Sequence, residues 1–222
     1  KKESVARILS FFKNSSMENV YFEGIDKISP DDIDYGKQLN FVLKPLSVGM
    51  QNKDQITLGS FPAFVKTDSL LASIQNENNA VLVNAENVGG TMYSGPGAGA
   101  KPTANSVLSD VIDIARGKIF DYGKFVEQNL SSSFDNFSCD RYLKLQVNDK
   151  PGVVAKISTL LAKNNLSIDN LIQKELERSD DQIPLVIVLS NSDETTIQET
   201  VKELEALDEV SGPLTHIRIL DI

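Results

Sequence analysis

Residues 89–110 read Gly-Gly-Thr-Met-Tyr-Ser-Gly-Pro-Gly-Ala-Gly-Ala-Lys-Pro-Thr-Ala-Asn-Ser-Val-Leu-Ser-Asp, and five glycines fall within the first eleven positions. Glycine permits positive φ angles and a close approach of the backbone to a ligand. Pro102 and Thr103 are followed by apolar residues at helical spacing. This pattern predicts a helix that begins at Pro102 and Thr103 and runs to about Gly117. A helix N-terminus offers free N–H groups and a positive dipole end to an anion. The stretch indicates either a tight strand-to-helix crossover or an anion cradle.

The composition predicts a folded, acidic, cytoplasmic protein. The 222 residues are 41% hydrophobic with a net charge of −9, enough for one large or two ordinary domains. This charge argues against a nucleic-acid partner. No apolar run reaches the roughly 18 residues that cross a membrane, and residues 1–13 have the spacing of an amphipathic helix rather than a secretory signal. The single Cys139 is expected to be an inert thiol, and no metal site is predicted.

Two regions are separated by a polar, serine-rich stretch at residues 127–140, which predicts a linker. The first region, residues 1–126, is expected to form a mixed α+β layer because strand patterns outnumber helices until Thr103. Ser29 and Pro30 indicate a helix N-terminus. Further elements are predicted as strands at 20–25, 40–46, 59–65 and 80–85 and as a short helix at 69–74.

The second region, residues 141–222, has a clearer rhythm of alternating strands and amphipathic helices. Its order is βαββαβ, which is the split-βαβ or ferredoxin-like arrangement. The whole chain is therefore assigned to the α+β class. The predicted strands cover 142–147, 166–173, 183–190 and 215–220, and the predicted helices cover 153–163 and 194–207.

The turn that follows the first of these strands has two interpretations. Pro151 at the first helical position and Gly152 are typical of strand-to-helix punctuation. The same turn could bind an amino acid, because the N–H groups of Gly152, Val153 and Val154 would receive its carboxylate and Asp149 its ammonium group.

Both regions resemble known families. The first resembles the substrate and dimerisation part of homoserine dehydrogenase in Val20-Tyr-Phe-Glu-Gly-Ile-Asp-Lys-Ile, in residues 68–81 and above all in Gly95-Pro-Gly-Ala-Gly-Ala-Lys-Pro-Thr-Ala. The second resembles an ACT domain in Tyr142-Leu-Lys-Leu-Gln-Val-Asn-Asp-Lys-Pro-Gly-Val-Val-Ala-Lys-Ile. The order is that of the C-terminal half of a bacterial homoserine dehydrogenase.

The resemblance implies a function and a set of site residues. The family interconverts L-aspartate 4-semialdehyde and L-homoserine with NADP or NAD, in the biosynthesis of threonine, methionine and isoleucine. A homo-oligomer, most simply a dimer through the mixed sheet and paired ACT domains, and an amino-acid effector such as threonine are also implied. The implied cofactor residues are Gly95, Gly97, Gly99 and Thr103; the implied substrate residue is Glu23; the implied effector residues are Asn148, Asp149, Gly152, Val153, Val154, Ser167, Asp169 and Asn170.

The chain departs from the family in one respect. The G-x-G-x-x-G unit of a dinucleotide-binding domain is absent, and the catalytic Asp and Lys are expected upstream of residue 1. Lys1 or Lys2 stands at roughly the right distance before Val20. We therefore expect the 222 residues alone to be inactive. The alternative is a non-catalytic amino-acid-binding regulatory or assembly module. His216 is expected to lie far from any site.

Overall fold

The structure is a computed structural model, and it describes residues 20–52, 55–117, 131–132, 134–173 and 182–222. In the first region, β1 is Tyr21–Phe22, β2 is Phe41–Asn52, β3 is Gln55–Lys66, β4 is Asn78–Ala85 and β5 is Gly89–Pro96. Its helices are α1 (Pro30–Gln38), a 3-10 turn (Leu70–Ser73) and α2 (Ala100–Ala115). Then follow β6 (Ser131–Ser132), β7 (Cys139–Asn148), α3 (Val153–Lys163), β8 (Ile168–Gln173), β9 (Gln182–Ser192), α4 (Glu194–Glu205) and β10 (Val210–Leu220).

The βαββαβ order of the second region is confirmed, as is the α+β class. Asp193 caps α4 because its carboxylate accepts the N–H of Thr196 at 2.8 Å. At α3 the cap differs from the expectation. Gly152, with φ of 92°, is the N-cap residue, so Pro151 precedes the helix instead of opening it.

The predicted start of α1 is confirmed in detail. Ser29 is the N-cap residue and Pro30 is the first helical residue. Ser29 and Asp32 form a reciprocal capping box, in which the Asp32 carboxylate accepts the Ser29 N–H at 2.7 Å.

The second region does not form a sheet of its own. Its strands follow the order β10-β7-β9-β8, and β10 then pairs in parallel with β3 of the first region. β3 also pairs with β1, β2 and β6, so eight strands form one sheet. The two regions are therefore fused through backbone hydrogen bonds.

Each face of this sheet is covered by different elements. On one face, Tyr35 of α1 packs with Phe64, Tyr142 and Ile217. On the other face, α3 and α4 cover a core that includes Leu143, Leu145, Ile157, Leu185, Ile187 and Ile197. A ferredoxin-like sheet has helices on one face only, whereas here a helix of the first region supplies the second layer.

The linker prediction needs correction at its C-terminal end. Ser131–Ser132 pair with β3, and Phe134 and Phe137 are buried against Phe61. The carbonyl of Asp135 accepts the N–H of Glu194 at 3.1 Å, at the start of α4. The aromatic side chains explain the difference, because they bury apolar surface within a stretch that is otherwise polar. The preceding residues 118–130 lie outside the described part.

The glycine stretch also differs from the expectation. Residues Gly89–Pro96 form β5, which pairs with β4 as a separate two-stranded antiparallel sheet. Helix α2 begins at Ala100 after Gly99, whose φ is 118°, so Pro102 and Thr103 lie inside its first turn and do not open it. Gly99 adopts a backbone conformation that residues with a Cβ rarely reach, which explains the earlier start.

We predict that Asp32 is a major determinant of stability. Its side chain is fully buried and accepts hydrogen bonds from Tyr142 Oη at 3.0 Å and from Lys144 Nζ at 2.7 Å. Asp32→Ala leaves the buried Tyr142 hydroxyl without its acceptor and the largely buried Lys144 ammonium without its counter-charge, so urea denaturation should show a loss of about 3–5 kcal/mol. Asp34→Ala on the same helix removes an exposed pair with Lys37 and should cost less than about 1 kcal/mol. Equal losses for the two variants would contradict the prediction.

Candidate functional site

The predicted cofactor glycines lie at the end of β5 and the start of α2. Gly95 is paired with Asn79 of β4, and a Cβ added to Gly95 would meet no atom within 4 Å. The N–H of Gly97 is occupied, because it donates to the carbonyl of Glu77 at 2.8 Å. At Gly97 a Cβ would come within 1.8 Å of the Asn79 amide. Gly97 is therefore explained by packing within the chain, whereas Gly95 is not.

Thr103 does not cap an N–H group of α2. Its hydroxyl donates to the carbonyl of Gly99 at 2.8 Å, in the first turn of the helix. The helix has no buried residue, and its apolar side chains form an exposed stripe. The members of the stripe are Val107, Leu108, Val111 and Ile112. Such a stripe marks a contact surface for another structural unit.

The predicted effector residues fall into two groups at opposite ends of the second region's sheet. Asn148 is the last residue of β7, and Asp149 lies between β7 and α3, which has Gly152 at its N-cap. The N–H of Val153 donates to the carbonyl of Lys150 at 3.3 Å. It is therefore already occupied within the chain, whereas the prediction had it available to a ligand carboxylate. Val154 is partly buried against the core of the second region.

The second effector group lies beside the start of β7. Ile168 of β8 is paired with Leu189 of β9, which in turn is paired with Arg141 of β7. Ser167, Asp169 and Asn170 are therefore at the level of residue 141, about 20 Å along the strands from residue 148. The Asp169 carboxylate accepts the hydroxyl of Ser190 at 2.6 Å. One chain does not bring the two groups together.

A buried ionic cluster joins the two regions at Glu23. The guanidinium of Arg218, in β10, contacts the Glu23 carboxylate and makes two hydrogen bonds with Glu194 of α4. Glu194 also accepts from Arg141 of β7 at 2.9 Å. Two arginines therefore balance two carboxylates, and both arginines are fully buried. The described side-chain partners of the predicted substrate residue Glu23 are Arg218 of this cluster and the neighbouring Tyr21 hydroxyl.

The environment of the cluster maintains its charges. Burial alone would raise the pKa of the Glu194 carboxyl, but Arg218, Gln198 and Arg141 lower it below its usual value. Burial alone would also lower the pKa of Arg218, but Glu194, Tyr21 and Glu23 outweigh this effect and raise it. Both groups are therefore ionised at neutral pH.

His216 is closer to this cluster than the sequence suggested. Its Nε2 lies 3.3 Å from Nη1 of Arg141. Because arginine has no acceptor, Nε2 must accept and the imidazole proton sits on Nδ1. Burial, together with Arg218 and Arg141, lowers the pKa of His216 to about 3. The ring is therefore a neutral acceptor at physiological pH.

Sequence reasoning missed Arg141, Glu194 and Arg218. A signal for Arg218 was present, because it alternates with Ile217 and Ile219 and shares its strand face with the apolar Leu220. A charged residue between apolar positions on both faces indicates a strand that is buried on both sides. For Glu194 the sequence predicted only the first residue of a helix.

The described residues hold no group of three or more His, Cys, Asp or Glu side chains that could bind a metal ion. They include no helix with the length and hydropathy needed to span a bilayer. Lys1 and Lys2, the candidate catalytic lysines, lie outside the described part. Cys139 is buried, and burial raises the pKa of its thiol, which favours the unreactive form.

The fold defines a two-part α+β chain whose second part is a ferredoxin-like βαββαβ module. Residues 2–112 match the family described as homoserine dehydrogenase, and residues 141–209 match the ACT domain. The chain belongs to the homoserine dehydrogenase family.

Individual relatives agree with this family. The chain is similar to homoserine dehydrogenase of Pseudomonas aeruginosa, with 33% identity over 98% of this chain and 52% of that protein. It is similar to the Neisseria gonorrhoeae enzyme, with 35% identity over 98% of this chain and 52% of that protein. A homoserine dehydrogenase structure from Thiobacillus denitrificans has a TM-score of 0.83 and 27% identity over 99% of this chain and 52% of that one. The chain spans about half the length of these relatives.

We predict that His216 makes the protein sensitive to mild acid. Because its folded pKa of about 3 lies below the unfolded value of about 6.5, the unfolded state binds a proton that the folded state does not. Its contribution is complete above about pH 6.5 and is lost as the pH falls toward 3, by about 1.4 kcal/mol per pH unit. Urea denaturation of the wild type and of His216→Gln between pH 7.5 and 4.5 should show a shallower slope for the variant. Parallel slopes would contradict the assignment.

Proposed function

We propose that this chain is part of an enzyme that interconverts L-aspartate 4-semialdehyde and L-homoserine with NADP or NAD. The observation that carries the proposal is the match of almost the whole chain to about half of each homoserine dehydrogenase. The geometry supports the proposal, because Gly95 in β5 and the exposed stripe on the following helix α2 are not packed against other described residues.

The cofactor fits this part of the chain on steric grounds. Gly95 leaves open space where a Cβ would stand, so its backbone can be approached closely. Gly99 sets the direction of α2, and the stripe on α2 supplies the apolar surface for the domain that holds most of the nucleotide. The nicotinamide, when bound, supplies the hydride. Gly97 and Thr103 support the geometry of the segment, since both make hydrogen bonds within it.

The chain's own residues would bind and orient the substrate. A carboxylate suits the substrate ammonium group, and Glu23 is the carboxylate that follows the short strand β1. A lysine suits proton transfer to the developing alkoxide. That lysine is expected outside the described residues, with Lys1 and Lys2 as the candidates within this chain.

The second region would regulate the enzyme as an amino-acid-binding ACT domain. The turn at Asn148 and Asp149 would bind the effector of one copy, and Ser167, Asp169 and Asn170 would belong to the neighbouring copy. This arrangement follows from their separation within one chain, and it requires a homo-oligomer. The outer edge of β8, which pairs only with β9 among the described strands, is available for contact between copies.

The first test concerns catalysis. The 222-residue chain alone should give no homoserine-dependent reduction of NADP or NAD. A fusion that adds the half of the Pseudomonas aeruginosa enzyme not matched by this chain should give turnover. In that fusion Gly95→Val should raise the KM for the cofactor by about tenfold or more, because a side chain would fill the proposed contact.

The matched control is Thr91→Val, which places the same side chain at an exposed position of β5. It should leave the KM for the cofactor unchanged. Turnover by the chain alone would refute the expected inactivity, and an inactive fusion that is folded would refute the proposed reaction.

The second test concerns regulation. Calorimetry should detect threonine binding to the wild type, and Asp149→Ala should weaken it by about tenfold because a charge-assisted hydrogen bond is lost. Asp34→Ala, an exposed aspartate on α1, should bind as the wild type does. Absence of binding at millimolar threonine, in a protein that sedimentation shows to be oligomeric, would favour the assembly module instead.

A further inference from the structure

A side chain of the last strand of the ACT region contacts the residue that follows the first strand of the first region. β2 pairs with β3 along the whole length of β3, so β1, level with Gly59 and Ser60, and β10, with Arg218 level with Ala63, lie one after the other along the opposite edge of β3. Neighbouring residues in paired strands point to the same face, and alanine is small. The arginine side chain can therefore extend along this edge, over the ring of Phe61, and reach Glu23, which is 195 residues earlier in the chain.

Arg218 is held firmly in this position. Its guanidinium carbon lies 4.6 Å from the ring centroids of both Tyr21 and Phe61 and 5.3 Å from that of Phe134. Nε and Nη2 donate to the two carboxylate oxygens of Glu194, so the guanidinium plane is fixed by a bidentate pair. The remaining donor, Nη1, contacts Glu23.

The contact leaves part of the Glu23 carboxylate available. Both Arg218 and the hydroxyl of Tyr21 donate to Oε2, the latter at 3.0 Å. Among the described residues, neither these nor other donors contact Oε1. The Glu23 backbone N–H donates to the carbonyl of Ser60 at 3.0 Å, which continues the pairing of β1 with β3. Glu23 is thus fixed at its backbone and at one carboxylate oxygen.

We propose that Arg218 is a positioning residue that fixes Glu23 and the short strand β1, so that the ACT region is a required part of the substrate site. The substrate half of this statement rests on the proposed function, whereas the positioning of β1 does not. β1 has only two residues, and short isolated strands have little stability of their own. The contact of Arg218 with Glu23 therefore adds to the backbone pairing with β3 and to the stacking of Tyr21 on Phe134 in holding the strand.

The first measurement is hydrogen exchange on the full chain. Arg218→Lys keeps the positive charge, but an ammonium group cannot bridge Glu194 and Glu23 with the geometry of the guanidinium fork. We expect amide exchange of residues 21–24 to be at least about tenfold faster in the variant, with α3 unchanged. If Arg218→Lys does not fold, Glu23→Gln removes the charge from a partly exposed partner and should accelerate the same amides.

The control is Asp221→Asn. Asp221 pairs with Lys66 at 2.9 Å and also joins β10 to β3, but it does so at the surface. The control should exchange as the wild type does at residues 21–24. Unchanged exchange at these residues in both Arg218→Lys and Glu23→Gln would overturn the proposal.

The second measurement separates positioning from general stability. In the active fusion, Arg218→Lys should raise the KM for homoserine by about tenfold while the KM for the cofactor stays within about twofold. Equal changes in both KM values would overturn the role at the substrate site. A wild-type fusion that is folded but inactive would refute the proposed reaction, and the exchange result would still decide whether Arg218 positions β1.

Discussion

The parallel pairing of β10 with β3 determines how the rest of this molecule is arranged. Only three pairs of residues form it, Arg218 with Ala63, Ile219 with Phe64 and Leu220 with Val65. These pairs bring side chains of the two regions together on both faces of the shared sheet. On one face Phe64 joins the apolar group under α1, and on the other Arg218 reaches the aromatic rings and Glu23. The ACT region and the first region therefore share two cores instead of meeting at a surface.

Buried charges on both faces specify the register of this pairing. Asp32 with Lys144 lies on the face of α1, and Arg218 with Glu194 lies on the face of α4. A shift of β10 by one residue would move Arg218 to the α1 face, away from Glu194 and Glu23, and would place an isoleucine among the remaining charges. Desolvation makes each ion pair a modest source of net stability, but an unpaired buried charge would be costly. The pairs thus disfavour the incorrect register.

The sequence predicted the elements whose signal is local and missed the contacts whose signal is not. The helix start at Ser29 and Pro30 and the helix at 153–163 depend on neighbouring residues, and both were predicted. The pairing of Arg218 with Glu23 joins residues 195 positions apart, and no periodicity in either strand encodes it. β5 was missed because its glycines are typical of loops, whereas pairing with β4 holds them extended. The linker prediction did not account for Phe134 and Phe137, which are buried in a core although the residues around them are polar.

The candidate site has two halves with different sources of order. Around Glu23 the chain supplies its own support, through backbone pairing to β3 and through Arg218. Around Gly95 it supplies little, because α2 has no buried residue and β4 pairs only with β5 among the described strands. Most helical stability in proteins comes from packing of an apolar face. The stripe of α2 therefore needs a partner surface, and under the proposed function the cofactor domain supplies it. Docking of that domain and placement of Gly95 against the cofactor are then one event, because the helix that docking stabilises begins five residues after Gly95.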